Sequence, residues 1–277
     1  MDKYRVAAIQ MVSSMVVAAN LAEAAHLIEA AAKAGARLVV LPENFAFLGK
    51  ADATAPTVWE PYGKGPIQGF LAEQAKRHRL WLVGGTVALE SDKPRKVRAA
   101  CLLYDDQGEV VARYDKMHLF DVSVPGDHTN HYQESLTIDP GNHMVVAETP
   151  LGKIGLAVCY DLRFPELFRA MVVQGMELIA VPAAFTAVTG AAHWEVLLRA
   201  RAIENLSYVV ASAQGGEHMS GRETYGDSLI VDPWGSVLAR LPRGAGFIAC
   251  EIDRSRVRAI REQFPAIDHR RFLESAP

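Results

Sequence analysis

Apolar residues fall in short solid runs separated by stretches of helical spacing, and the two kinds of segment alternate along the chain. Residues 4–11 (YRVAAIQM) read as a strand. Leu21, Ala24, Ala25, Ile28, Ala31 and Ala32 then recur at helical intervals, with Asn20 as the expected N-cap, Glu23 at capping-box distance and Gly35 as the stop. RLVVLPEN follows as a buried-type strand ended by Pro42. A helix near 67–79, the strand WLVGGTVAL and a hairpin from about 99 to 114, turning at Asp106-Gln107-Gly108, continue the first half. KIGLAVCYD restarts the pattern. Pro165 opens a helix (PELFRAMVVQ) that stops at Gly175, and ELIAVP is again a buried strand. His193 and Trp194 are expected to start and anchor the helix after it.

The two halves resemble each other. AKAGARLVVLPENFAF from Ala32 and VVQGMELIAVPAAFTA from Val172 align at an offset of 140, with Gly, Leu, Pro and Phe coincident. This predicts a duplicated β-α-β unit and one α/β domain spanning 1–277. Chance likeness between any two β-α-β units is the competing explanation.

Composition narrows the class. Half of the 277 residues are hydrophobic and 22% are charged, which excludes a disordered or low-complexity chain. With 29 basic against 32 acidic residues the net charge is −3, so no cationic face for nucleic acid is expected. Three cysteines, at 101, 159 and 250, make neither a paired disulfide framework nor a Cys-rich zinc site. The opening MDKYRVAAIQMV lacks an apolar signal core, and the long uncharged stretch between Glu177 and Glu195 is broken by Pro182 and Gly190. A cytoplasmic protein without membrane partner is the expectation. No P-loop, GxGxxG or HExxH is present, and neither metal nor organic cofactor is expected.

Three residues stand apart from packing. Cys159 ends an apolar strand just before a helix, where α/β folds bind ligands and where nearby N–H groups favour a thiolate. A free cysteine can equally be a small buried hydrophobe, the reading taken for Cys101 and Cys250. Glu43 follows the strand RLVVLP, either as a solvated loop acid or as a carboxylate held in a cleft; its counterpart in the second half, Ala183, is uncharged. Lys116 in RYDKMHLFD is a surface charge unless an acid such as Glu134 pairs with it.

Together these segments resemble the nitrilase-like carbon–nitrogen hydrolases, from Tyr4 to about Phe272. The family's LPE, YxKxHLF and CYDxRFPE signatures correspond to Glu43, Lys116 and Cys159, and its ES pair before a PG turn to Glu134-Ser135 before Pro140-Gly141. The resemblance implies a four-layer α-β-β-α sandwich built from two related halves. It also implies an amidase in which Cys159 attacks an amide carbonyl, Glu43 moves the proton, and Lys116 with the N–H of Tyr160 holds the oxyanion. Glu134 would orient Lys116. A thioester forms and is hydrolysed.

Further segments, GAAHWEVLLRARAIEN, AQGGEHMSGRETYGDS and VDPWG, are similar to amidases of that family acting on deaminated glutathione, and less so to ω-amidases acting on α-ketoglutaramate. N-carbamoyl amino acid amidases are a further alternative. Arg163, Phe185 and Thr189 are expected around a substrate 2-oxo acid, although Arg163 could instead pair with Glu166 or Asp161. His218 and Arg222 are expected to reach a distal carboxylate. Asp227 stands where relatives often carry His. A homodimer or higher homo-oligomer is implied by the resemblance, with the PAIDHRRF tail crossing to the partner. Two other readings stay open: a catalytically silent binding partner, and a thiol redox sensor, which gives no reason for Glu43 or Lys116.

Overall fold

The computed structural model describes residues 2–49, 56–126 and 131–271. Its first strand, Lys3–Gln10, shows why the apolar runs are solid. Val6 and Ala8 face one core cluster, Ala7 and Ile9 the other, and all four are fully buried. A strand covered on both faces has no solvated side on which to place alternating polar residues. Each such aliphatic side chain contributes roughly 1.5–3 kcal/mol on burial.

In the first sheet Lys3–Gln10, Ala36–Val40 and Trp81–Val83 run parallel. They are joined by helices α1 (Val17–Lys33) and α2 (Pro66–His78). In the second sheet Gly152–Leu156, Leu178–Ala183 and Tyr208–Ala213 run parallel. Helices α3 (Pro165–Val173) and α4 (Ala187–Asn205) join them. Antiparallel strands flank each trio: Gly246–Asp253 and Val97–Tyr104 in one sheet, Val145–Thr149 and Ser228–Val231 in the other. The repeat read from the sequence therefore extends to a full β-α-β-α-β unit in each half.

The layers follow from the packing. Val6, Ala8, Leu38 and Val40 join Ile154, Leu156, Leu178, Ala180 and Val210 in one cluster, on the face of the second sheet from which Tyr208 and Ser212 reach the first. On the outer face of the first sheet, Ala7, Ile9, Val39 and Leu41 pack with Ala24, Leu27 and Ile28 of α1 and Leu71 of α2. Leu167, Phe168 and Met171 of α3 and Trp194 and Leu198 of α4 are buried against the second. This is the α-β-β-α sandwich. None of the described helices is long and apolar enough to cross a membrane.

Three local expectations change. Helix α1 begins at Val17 with Val16 at its N-cap, so Asn20 lies inside the helix. Its buried amide instead donates to the carbonyls of Ser14 and Ala46, both at 2.8 Å, and ties the helix to the two loops at its start. WLVGGTVAL is two strands, Trp81–Val83 and Val87–Glu90, because the chain turns at Gly84-Gly85. Gly85 has φ +60°, and a Cβ there would sit 2.2 Å from the carbonyl oxygen of Pro42. Helix α4 starts at Ala187, capped by Thr186, which places His193 and Trp194 in its second turn rather than at its start.

Candidate active site

Glu43 leaves the first sheet one residue after Pro42, in a turn whose next residue, Asn44, is left-handed at φ 57°. The turn is pinned by the hydroxyl of Thr86, which accepts from the N–H of Asn44 at 2.8 Å. The amide of Gln214 donates to the carbonyl of Glu43 at 3.1 Å. Lys116 follows the strand Val110–Asp115, its backbone fixed by Ala99 and Gly141. Glu134 opens the short 3-10 turn Glu134–Leu136.

These three side chains meet. The ammonium of Lys116, only 1% exposed, donates to Oε1 of Glu43 at 2.9 Å and to Oε1 and Oε2 of Glu134 at 2.8 and 2.7 Å. Oε2 of Glu134 also accepts from the N–H of Phe120 at 2.8 Å. A buried lysine is costly unless paired. Burial works against the ammonium, but the carboxylates of Glu134 and Glu43 outweigh it and hold the Lys116 pKa well above its ordinary value. Lysine as surface charge and Glu43 as solvated acid are both excluded.

Cys159 opens the 3-10 turn Cys159–Arg163 in the left-handed region, at φ 48°. That conformation costs a non-glycine residue roughly 1–2 kcal/mol and is characteristic of functional turns. Burial first, and then the Glu43 carboxylate, push its thiol pKa well up. Lys116 and the N–H of Ala184 oppose that shift without reversing it. The resting cysteine is therefore a neutral thiol, not the thiolate expected from its place near backbone N–H groups. Such a thiol needs a base at the moment of attack.

Cys159, Glu43 and Glu134 line one pocket, together with Phe120, Tyr160 and Ala184. Ala184, which follows the counterpart of Glu43 in the second half, thus faces the same cavity. Arg163, Phe185, Thr189 and Arg222 also lie on its wall. The Arg163 guanidinium sits over the rings of Tyr160 and Phe185, and its Nη1 donates to Nδ1 of His193 at 3.1 Å. Of the two ion pairs considered for Arg163, the one with Asp161 gives way to the bonds of that carboxylate with Tyr114, His118 and Val158. Arg222, itself buried, lies over the ring of Tyr132.

His218 is the correction. It does not line the pocket, and both ring nitrogens are used inside the fold: Nδ1 meets the carbonyl of Ser13 at 2.8 Å and Nε2 the hydroxyl of Thr224 at 2.7 Å. Burial lowers its pKa below 6.5. The stability that needs neutral His218 is complete above the unfolded value near 6.5 and is lost as pH falls toward the depressed folded value. His218→Ala should cost about 1–3 kcal/mol near neutral pH. Urea melts at about pH 7.5 and about pH 5.5 should show the gap between wild type and variant narrowing on acidification. A gap that does not change with pH would remove the neutral imidazole from the account.

The sequence reading also missed positioning residues. Gln214, noted for its motif, serves the backbone of Glu43 and the hydroxyl of Ser13. Asp227 binds Arg240 through both oxygens, and its carbonyl accepts the Trp194 indole N–H at 2.7 Å. Trp194 in turn packs on Phe185 at 4.8 Å, so Asp227 reaches the pocket only through two rings. Among the described residues no group of His, Cys, Asp and Glu is placed to hold a metal ion.

A buried thiol beside a carboxylate and a paired ammonium, at the ends of strands in a two-sheet sandwich, can carry out acyl transfer through sulfur. The chain belongs to the carbon–nitrogen hydrolase family, whose family model matches residues 5–262. It is an enzyme that hydrolyses carbon–nitrogen amide bonds. It is 42% identical over 276 residues to the deaminated glutathione amidase of Yersinia enterocolitica, covering 99% of this chain and 96% of that one. It is also 42% identical to the Homo sapiens deaminated glutathione amidase, over 96% of this chain and 82% of the relative. The structure superposes on Saccharomyces cerevisiae Nit3, a nitrilase-superfamily member, with a TM-score of 0.85 and 31% identity, covering 98% and 97% of the two chains. On the C. elegans NitFhit protein the TM-score is 0.82 with 36% identity, and the chain spans 66% of that protein.

Proposed function

We propose that this enzyme hydrolyses deaminated glutathione to 2-oxoglutarate and Cys-Gly through a thioester on Cys159. One observation carries the substrate reading: two arginines, Arg163 and Arg222, stand on the wall of the pocket that holds the thiol. An amide with a carboxylate on each side of the scissile bond uses both. α-Ketoglutaramate, with a carboxylate on the acyl side alone, uses one. The names of the relatives point the same way.

In the mechanism the Cys159 sulfur attacks the carbonyl carbon while its proton passes to Glu43. Charge balance explains the third and fourth groups. With a neutral thiol, the resting set of Glu43, Glu134 and Lys116 carries −1. Once the proton has moved, Glu43 is neutral, the new oxyanion carries the charge and the total is unchanged. Protonation of Glu43 also removes one of the two carboxylates competing for Lys116, just as the oxyanion needs that ammonium. The backbone N–H of Tyr160 is the second donor. Glu43 then gives its proton to the departing nitrogen, the C–N bond breaks and the thioester remains. Water attacks it, losing a proton to Glu43, and the thiol leaves reprotonated.

The substrate test is kcat/KM for deaminated glutathione and α-ketoglutaramate in wild type, Arg222→Ala and Arg163→Ala. A charge-assisted hydrogen bond to the distal carboxylate contributes roughly 1.5–3 kcal/mol, about ten- to 150-fold in rate. Wild type should prefer deaminated glutathione, Arg222→Ala should shrink the preference, and Arg163→Ala should weaken both substrates. Preference for α-ketoglutaramate, or for a carbamoyl amino acid, would overturn the substrate reading and leave the Cys-Glu-Lys chemistry standing.

The reading includes one domain, a cytoplasmic setting and a homodimer. Three free cysteines support the second. Exposed Val196 and Ile203 on α4, with the exposed and mutually packed Trp234 and Phe264, support the third. The tail expected to cross to the partner extends beyond the described residues at Phe272.

A further inference from the structure

The Asp161 carboxylate is completely buried, two residues beyond the nucleophile, and each of its oxygens accepts two hydrogen bonds. Oδ2 takes the hydroxyl of Tyr114 and the N–H of Val158, both at 2.7 Å. Oδ1 takes the N–H of His118 at 3.1 Å and Nδ1 of His118 at 2.7 Å. A carboxylate only accepts, so the Nδ1 of His118 carries its proton. The donors come from two places. Val158 precedes Cys159, while Tyr114 and His118 stand two residues either side of Lys116. The Tyr114 hydroxyl also accepts from the N–H of Met117 at 3.3 Å, and the His118 ring stacks on Phe164 at 3.7 Å.

We propose that Asp161 is a positioning residue that clamps the lysine segment to the nucleophile turn and so sets the distance between the Lys116 ammonium and the acyl group on Cys159. The proposal rests on the roles given above to Cys159 and Lys116. The physical case is that neither side can hold this geometry alone. Cys159 occupies a left-handed conformation that its turn must be made to keep, and the bond from Val158 to Asp161 closes that turn. Lys116 hangs on a flexible stem whose carboxylate partners bind its head but not its backbone. Residues 114, 117 and 118 are all drawn to the same carboxylate, directly or through the Tyr114 hydroxyl, and this ties the stem's root, already bonded to Ala99 and Gly141, to the nucleophile turn. Four donors on one group also explain why an amide cannot replace the acid. Asparagine would turn an N–H toward two of them.

The experiment uses the full chain. In Asp161→Asn, kcat on deaminated glutathione should fall on the order of 100-fold, because a misplacement of about 1 Å costs that much. KM should stay within about threefold, since no residue on the pocket wall is replaced. Alkylation of Cys159 by iodoacetamide, which needs the turn but not the natural substrate, should slow about tenfold. Two further variants separate positioning from packing and decide the matter if Asp161→Asn does not fold. His118→Phe keeps the ring on Phe164 but loses the Nδ1 donor, and it should lower kcat. His118→Asn restores a side-chain N–H at that position and should recover most of the loss. Wild-type kcat in Asp161→Asn overturns the clamp. So does a loss in His118→Phe that His118→Asn fails to recover, or one that tracks Tm and KM together. Cys159→Ala run in parallel keeps the two readings apart: turnover there would overturn the mechanism itself, and the clamp with it.

Discussion

Cys159→Ala is expected to abolish turnover, while Cys101→Ala and Cys250→Ala keep near-full rates. The three thiols differ in surroundings rather than in exposure alone. Cys101 is fully buried, where burial and then the Asp161 carboxylate push its pKa far up, and it does not line the pocket. Cys250 is partly exposed, with its pKa pushed up by burial to about 11. Cys159 is also a neutral thiol, yet it lines the pocket with Glu43. Iodoacetamide, an amide itself, should therefore inactivate the enzyme by labelling Cys159. Glu43→Gln should slow both labelling and turnover, the latter by about 10²–10⁴-fold, the usual contribution of a general base. Peptide mapping of the labelled protein and a turnover assay of the four variants check this. Loss of activity in a folded Cys101→Ala or Cys250→Ala protein would end the assignment of a single catalytic thiol.

Lys116→Ala should be nearly as severe and should act in two ways. Removing one oxyanion donor costs about 2.7–4 kcal/mol of transition-state stabilisation, or roughly 10²–10³ in kcat. It also leaves the carboxylates of Glu43 and Glu134 without the ammonium they share. Breaking a buried ion pair from one side typically costs about 3–5 kcal/mol of folding stability. Glu134→Gln should be milder. Lys116 keeps Glu43 at 2.9 Å and its backbone anchors to Ala99 and Gly141. Turnover should drop through misplacement of the ammonium while alkylation of Cys159 persists. Urea melts beside kcat separate the two effects. Wild-type kcat in both variants would remove the lysine from the mechanism.

Much of this was legible in the chain because it is written in local patterns. Strands buried on both faces give solid apolar runs, and Val6 to Ile9 do so whatever surrounds them. The duplication showed at Gly35 and Gly175, where helix ends need a positive φ, and at Pro42 and Pro182, near the ends of equivalent strands. Glu43, Lys116, Glu134 and Cys159 were visible as motifs. What the motifs could not give was state. A short run of residues around Cys159 suggests exposed N–H groups and a thiolate; the neutral thiol results from burial and from a carboxylate 116 positions away in the chain.

Only the tertiary structure decided which polar residues serve the site and which serve the fold. His218 and Arg222 lie four residues apart in one motif, yet one is consumed by Ser13 and Thr224 while the other reaches the pocket. Asn20 looked like a cap because capping is local, but a buried amide takes whichever carbonyls the packed loops bring, here those of Ser14 and Ala46. Asp161 carried no signal beyond its place in a motif, since its donors at Tyr114 and His118 lie more than 40 residues away. Hydrophobic period and turn residues are properties of neighbours in sequence, and they determined the elements, the repeat and the candidate chemistry. Protonation state, hydrogen-bond partners and pocket walls are properties of neighbours in space, and they came into being only when the two sheets closed on each other.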